Sequence, residues 1–164
     1  MQSREVYLQR FHNYLDRNEM QKNPHQEEGI WWCIQREMES ESLTVGEDDT
    51  RVIETRTGGI VADEMGLGKT ILMLGLFVSN FVRNTLIVVP LPLLTQWKKE
   101  IKRTLGHDVL VYHGSKKNTI TKEMLQDAAL VLTTYGALKP SNKENLYSVK
   151  WNRVIYDEAH HMRN

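Results

Sequence analysis

A single cysteine among 164 residues excludes a disulfide within the chain and a thiolate zinc cluster. Cys33 lies between Trp32 and Ile34, an apolar setting that reads as a buried structural thiol. Long apolar runs are also missing. The longest covers residues 71–82, is interrupted by Ser79 and Asn80, and falls short of the about 20 residues that span a bilayer. No membrane partner is therefore expected. The opening Met1-Gln-Ser-Arg-Glu lacks the apolar core of a secretory signal, so an intracellular reducing compartment is the expectation. Neither sign of charge dominates: 21 Lys and Arg balance 21 Asp and Glu, so a nucleic acid would have to be held by a local patch. Internal repeats and low-complexity tracts are absent. The length suits one domain with a real core and is too short for two full nucleotide-binding lobes.

What is present divides by pattern. Tyr7, Leu8, Phe11, Tyr14 and Leu15 recur at helical spacing, which predicts an amphipathic helix packed on the outside of the domain. A second helix is predicted from Asn23-Pro24, where Asn can cap and Pro fits the first helical position, through Ile30, Trp31 and Ile34. Residues 39–57 are acidic, carry Gly46 and Asp48-Asp49, and keep no apolar period. That stretch reads as a polar surface insertion, extended over 51–55 at most. Beyond it, short apolar runs at 59–62, 86–89, 109–112, 130–133 and 154–156 alternate with helical segments at 69–83, 94–105 and 120–127. Runs of this kind read as buried parallel strands joined by right-handed crossovers. The class is α/β, a mostly parallel sheet with flanking helices, with functional loops at the carboxyl ends of the strands.

Two groups of residues carry chemistry. Gly66-Leu67-Gly68-Lys69-Thr70 follows an apolar run and opens an apolar helix, the context of a phosphate-binding loop. Glycines let successive N–H groups and the helix N-terminus face the phosphates; Lys69 reaches the β and γ oxygens, and Thr70 gives a hydroxyl to magnesium. The general pattern asks for Gly where this chain has Asp63. Gly-rich helix starts also occur as simple tight turns, a reading that Gly-Lys-Thr after an apolar run disfavours. The second group is Asp157-Glu158-Ala159-His160 after an apolar run. Asp157 suits magnesium held through water, and Glu158 suits orienting and deprotonating the attacking water. Two acids after a strand are also a common solvated strand end, and the loop at 66–70 is what favours the catalytic reading. His160 is either a coupling residue between the nucleotide site and moving parts or a hydrogen-bonded core histidine.

At these residues the chain resembles a known family. Gly58-Gly-Ile-Val-Ala-Asp-Glu-Met-Gly-Leu-Gly-Lys-Thr70 is similar to motif I of the Snf-type chromatin-remodelling ATPases of helicase superfamily two, in which Asp at position 63 is the familiar form. Asp157-Glu-Ala-His160 resembles their motif II, in a DEAH form, although the family more often has Arg where His161 stands. The resemblance runs from about Lys22 to the last residue and implies a P-loop NTPase, RecA-like lobe at 22–164, carrying the insertion at about 39–57 and preceded by an N-terminal helical extension at 1–21. It implies ATP and Mg2+ as cofactors, bound by Gln26, Asp63, Glu64, Met65, Gly66, Leu67, Gly68, Lys69 and Thr70, with Thr70 and Asp157 on the metal. Asn23-Pro-His-Gln26 resembles the upstream glutamine motif that selects adenine; Gln26 can equally fold back on Asn23 to complete a capping box. Residues 86–101 resemble motif Ia, where the spacing of Leu94, Trp97, Ile101 and Leu105 makes Trp97 core and not a base-stacking platform. Lys98, Lys99, Lys102 and Arg103 read either as a solvated face or as phosphate contacts.

The family tracks a DNA strand across the top of the sheet. The implied track here is Pro90, Leu91 and Gln96, then His113, Gly114 and Lys116, then Thr133, Thr134 and Tyr135; hydroxyls at 133–134 suit phosphate oxygens, or form an ordinary β-branched strand end. Such contacts position without reading sequence, so the implied partner is double-stranded DNA bound independently of sequence. A second RecA-like lobe, in cis or in trans, supplies an arginine finger in this superfamily. Motif III and that lobe are not among these 164 residues, so little turnover is expected from them alone, since a lost finger costs about a thousandfold or more. The implied setting is the nucleus, or the cytoplasm or a viral replication compartment for a bacterial or viral source. Three other readings stay open: a strand-separating helicase, whose ATP site would look the same; a P-loop kinase, which has no reason to carry Asp-Glu-Ala-His; and a non-enzymatic ATP- or DNA-binding module.

Overall fold

The computed structural model describes residues 2–39, 41–45, 52–62, 68–139 and 146–163. The chain forms two compact units, Met1–Asn80 and Phe81–Asn164.

In the first unit, α1 (Arg4–Arg17), α2 (Pro24–Met38) and α3 (Lys69–Ser79) pack together. The helical period places Tyr7, Phe11, Tyr14 and Leu15 of α1 inside, facing Ile30, Cys33 and Ile34 of α2 and Leu72, Leu74 and Leu76 of α3. Cys33 is buried, as its neighbours foretold. The helices pack closely at Gly75, where an added Cβ would run into the Phe11 ring. Asn23 caps α2, its Oδ1 accepting from the His25 N–H at 3.0 Å, with Pro24 in the first helical position. The polar stretch at 39–57 contains an antiparallel hairpin, β1 (Glu41–Val45) with β2 (Val52–Arg56), in register from Glu41 opposite Arg56 to Val45 opposite Val52. Only the second of these strands was foreshadowed, because neither carries an apolar period long enough to mark it.

One expected strand does not form. Residues 57–62 are irregular, and Ile60 is 81% exposed. The run is led by two glycines, the first at φ +94°; glycine weakens a strand, and the three apolar residues Ile60, Val61 and Ala62 cannot specify their own pairing. The third helix is also shorter than its apolar run: it ends at Ser79, and Asn80 instead donates from its side chain to Glu37 Oε2 at 2.9 Å.

The second unit is a four-stranded, all-parallel sheet in the order β4 (Leu110–Tyr112), β5 (Leu130–Thr134), β3 (Thr85–Val89), β6 (Arg153–Tyr156). Every residue of β3 and β5 is buried, as expected of central parallel strands covered on both faces. In β6 burial alternates instead: Arg153 and Ile155 are buried while Val154 and Tyr156 are exposed, so this end strand is covered on one face and not on both as its apolar run predicted. Helix α4 (Leu94–Leu105) turns Trp97, Ile101 and Thr104 inward and stops at Gly106 in the left-handed conformation. Helix α5 (Lys122–Asp127) starts later than its apolar run because Thr121 caps it, accepting from the Met124 N–H at 3.2 Å. Leu86, Val88, Tyr112, Leu125, Val131 and Leu146 are among the residues of one apolar core.

Candidate functional site

In the first unit the site begins where α3 does. Gly68 is the N-cap at φ +79°, and its carbonyl accepts from the Leu72 N–H at 2.9 Å. A left-handed residue there favours glycine. Lys69 and Thr70 fill the first turn, half-buried, where the N–H groups of a helix have no intrahelical acceptors and the dipole favours an anion. Gln26 reaches this point from α2: a Cβ built on Gly68 would lie 2.8 Å from Gln26 Nε2. Its amide therefore stands at the start of α3. Asp63, Glu64, Met65, Gly66 and Leu67, expected to complete the loop, lie outside the described residues.

In the second unit all four strands run the same way, so the segments after them share one edge of the sheet. Asp157 follows β6 directly and is held at four atoms. Its N–H donates to the Val88 carbonyl at 2.9 Å, and its carbonyl accepts from the Tyr135 hydroxyl at 2.6 Å. Carboxylate Oδ2 accepts from the Trp97 indole N–H at 2.8 Å, and Oδ1 accepts from the Glu158 N–H at 3.0 Å. A carboxylate has about four lone-pair positions, and the described residues fill two of those on Asp157. Glu158 sits at φ +50°, a conformation uncommon outside glycine that concentrates at functional turns. Its Oε2 lies 3.3 Å from His160 Nδ1, both side chains being well exposed, so His160 is no core histidine. Partial burial, with Asp157, Tyr156 and Glu158 adding to it, raises the Tyr135 hydroxyl from its ordinary value to about 12. It stays a donor at any ordinary pH.

The other residues of the expected track divide. Gln96, Gly114 and Lys116 are exposed and His113 is half-buried. Pro90, Thr133 and Thr134 are buried. The Thr133 hydroxyl donates to the Tyr112 carbonyl at 2.7 Å, and Thr134 Oγ1 lies 3.1 Å from His113 Nδ1. These hydroxyls, and that of Tyr135, each have a partner within the unit; they tie the carboxyl ends of the strands together. Trp97 was legible as core, and it is buried, but its bond to Asp157 was missed. The signal was available: a buried indole N–H requires an acceptor, and no backbone carbonyl inside a helix is free to supply it. Among the described residues no three His, Cys, Asp or Glu gather to hold a metal. Mg2+ is usually bound by one or two carboxylates together with substrate phosphates and water, and Asp157 fits that use.

Comparison with known proteins places these residues in context. A family model described as SNF2-related domain matches residues 25–164. Over 85% of its length the chain is 32% identical to an uncharacterized ATP-dependent helicase of Schizosaccharomyces pombe. It is 37% identical, over 65% of its length, to the DNA repair protein rad5 of Emericella nidulans. Over 66% of its length it is 37% identical to the DNA excision repair protein ERCC-6-like of Homo sapiens. The chain spans 15%, 12% and 10% of those three proteins respectively. Among solved structures, the SWI2/SNF2 ATPase core of Sulfolobus solfataricus in complex with dsDNA is similar, with a TM-score of 0.62 and 26% identity. The match covers 86% of this chain and 26% of that one. The α/β fold, a parallel sheet with flanking helices, is that of the RecA-like lobe of such a core.

Proposed function

Because this chain belongs to the SNF2-related domain family, we propose that it is the ATP-binding lobe of a DNA-dependent ATPase that moves along double-stranded DNA, remodelling protein–DNA complexes in the nucleus. The observation that carries the reading is Asp157: a carboxylate at the carboxyl end of a parallel strand, oriented by two donors, one on each oxygen. Magnesium, when bound, neutralises phosphate charge. The residue types suited to holding it are the hydroxyl of Thr70 and the carboxylate of Asp157, and Glu158 would orient the attacking water. Lys69 would take the β and γ oxygens and Gln26 the adenine, and Asp63, Glu64, Met65, Gly66 and Leu67 are assigned to nucleotide binding on the resemblance alone. Asp157 to His160 then work as a DEAH motif, with His160 relaying the state of Glu158.

To the DNA edge we assign Gln96, Gly114 and Lys116, which are exposed, His113 beside them, and Pro90, Thr133, Thr134 and Tyr135 at the ends of the central strands. These contacts position a backbone and read no bases. Binding is therefore independent of sequence and weakens as salt rises. Turnover depends on a second RecA-like lobe, in cis or in trans, for its arginine.

Titration of the chain with a fluorescent ATP analogue in Mg2+ tests the nucleotide half. Lys69→Ala should weaken binding by about ten- to a hundredfold, the loss expected when hydrogen bonds to a charged group are removed. Equal affinity in the two proteins would sink the proposal.

A further inference from the structure

Resting on that reading of Asp157, we infer that Trp97 and Tyr135 are positioning residues for the magnesium-holding carboxylate. Neither group would touch nucleotide or metal. Trp97 is buried at 3% exposure, and its one polar atom donates to Oδ2 of a residue 60 positions away in sequence. Filling a core requires only the ring's bulk; directing its N–H at a carboxylate oxygen fixes which way that carboxylate turns. With the Glu158 N–H on the other oxygen, both carboxylate oxygens are engaged on the protein side and the carboxylate plane cannot rotate freely.

Tyr135 acts one bond further back. Its hydroxyl donates to the Asp157 carbonyl at 2.6 Å, and so fixes the peptide plane that leads into Glu158, whose backbone is left-handed at φ +50°. On the other side the Asp157 N–H is tied to Val88 of β3. The side chain and both backbone ends of Asp157 are thereby set before any ligand arrives. Preorganisation of this kind matters because a fraction of an ångström in a ligand's placement changes metal affinity, and partners behind a metal ligand commonly alter it by about ten- to a hundredfold.

The test uses Trp97→Phe, which keeps the bulk and removes the N–H, and Tyr135→Phe, which removes only a hydroxyl. Anisotropy of a labelled ATP analogue is measured with Mg2+ and with EDTA, giving the factor by which magnesium strengthens binding. We expect that factor to fall about tenfold in Trp97→Phe and about threefold in Tyr135→Phe, as for hydrogen bonds to charged and neutral acceptors, with binding in EDTA unchanged. Trp97→Phe in an Asp157→Asn background should add nothing to the magnesium factor, because residues acting through one another are not additive. A magnesium factor equal to wild type in both variants, or the same Trp97→Phe penalty in the Asp157→Asn background, overturns the inference. Should Trp97→Phe fail to fold, Tyr135→Phe decides alone. A wild-type chain with no magnesium factor, or one that Asp157→Asn leaves intact, removes the reading of Asp157 and this inference with it.

Discussion

The start of α3 and the acid pair after β6 are built by opposite means. At α3 the conformation is local: Gly68 at φ +79° opens the helix, and Lys69 and Thr70 follow in sequence. At Asp157 the neighbours come from far along the chain, namely Trp97 from α4, Val88 from β3 and Tyr135 from the turn after β5. A phosphate is a large, many-oxygened anion that a run of backbone N–H groups can hold. A metal-holding carboxylate and a base must point in particular directions, which takes side chains from several elements. The first kind of site should tolerate changes elsewhere in the fold; the second should not.

The largest expected effect tests the acid pair at its catalytic end. Glu158→Gln keeps the side chain's size and removes the base. With the second lobe supplied, steady-state ATP turnover should fall by about a hundred- to ten-thousandfold, the usual contribution of a general base, while nucleotide binding stays within about twofold, since a neutral amide costs the phosphates little. Turnover within tenfold of wild type would remove Glu158 from the chemistry and leave the strand end a solvated pair of acids.

Two glycines sharpen the contrast next. Gly75→Ala places a methyl in the Phe11 ring, and overpacking of this sort costs about 1–3 kcal/mol; denaturant unfolding should show it, with α1 loosened. Gly68→Ala meets a different obstacle, a left-handed φ worth about 1–2 kcal/mol to an L side chain, together with the Gln26 amide in the way. Its loss should appear in nucleotide affinity more than in unfolding. If both variants lost only stability, Gly68 would be a helix cap and nothing more.

These differences explain what could be read from the residues beforehand. Parallel strands β3, β4 and β5, helix α4 and the Asn23 cap were legible because each is set by a short contiguous pattern. The strand expected at 59–62 was not, because pairing is a tertiary decision that Gly58, Gly59 and two or three apolar residues do not make. The candidates Lys69, Thr70, Asp157 and Glu158 were picked out by residue type and order, and the structure adds where they lie: the first turn of α3 and the end of β6. The engagement of Thr133 with Tyr112 and of Trp97 with Asp157 was not, since both bonds depend on which strands become neighbours. The order β4-β5-β3-β6 is invisible to periodicity.

Helix α4 carries the same contrast within a single element, and the smallest effect follows from it. Trp97 on its inner face donates to Asp157, and Lys102 on its outer face donates to Asp108 at 2.9 Å. The Lys102 hydrogen bond, then its charge, holds the Asp108 carboxyl below the ordinary value of 3.8. A folded-state value below the unfolded one contributes stability at pH above the unfolded value and loses it as pH falls through the lower folded value. The window therefore lies in acid, below about pH 4. Both partners are more than half exposed, where solvent and salt screen the pair to near nothing. Lys102→Ala should return the Asp108 titration, followed by NMR, to the ordinary range and leave the melting temperature at neutral pH unchanged, whereas Trp97→Phe on the same helix should leave Asp108 alone and shift the magnesium factor. A Lys102→Ala protein with altered magnesium dependence would mean that α4 transmits strain from its outer face to Asp157, and the separation between a directed inner contact and a screened outer one would not hold.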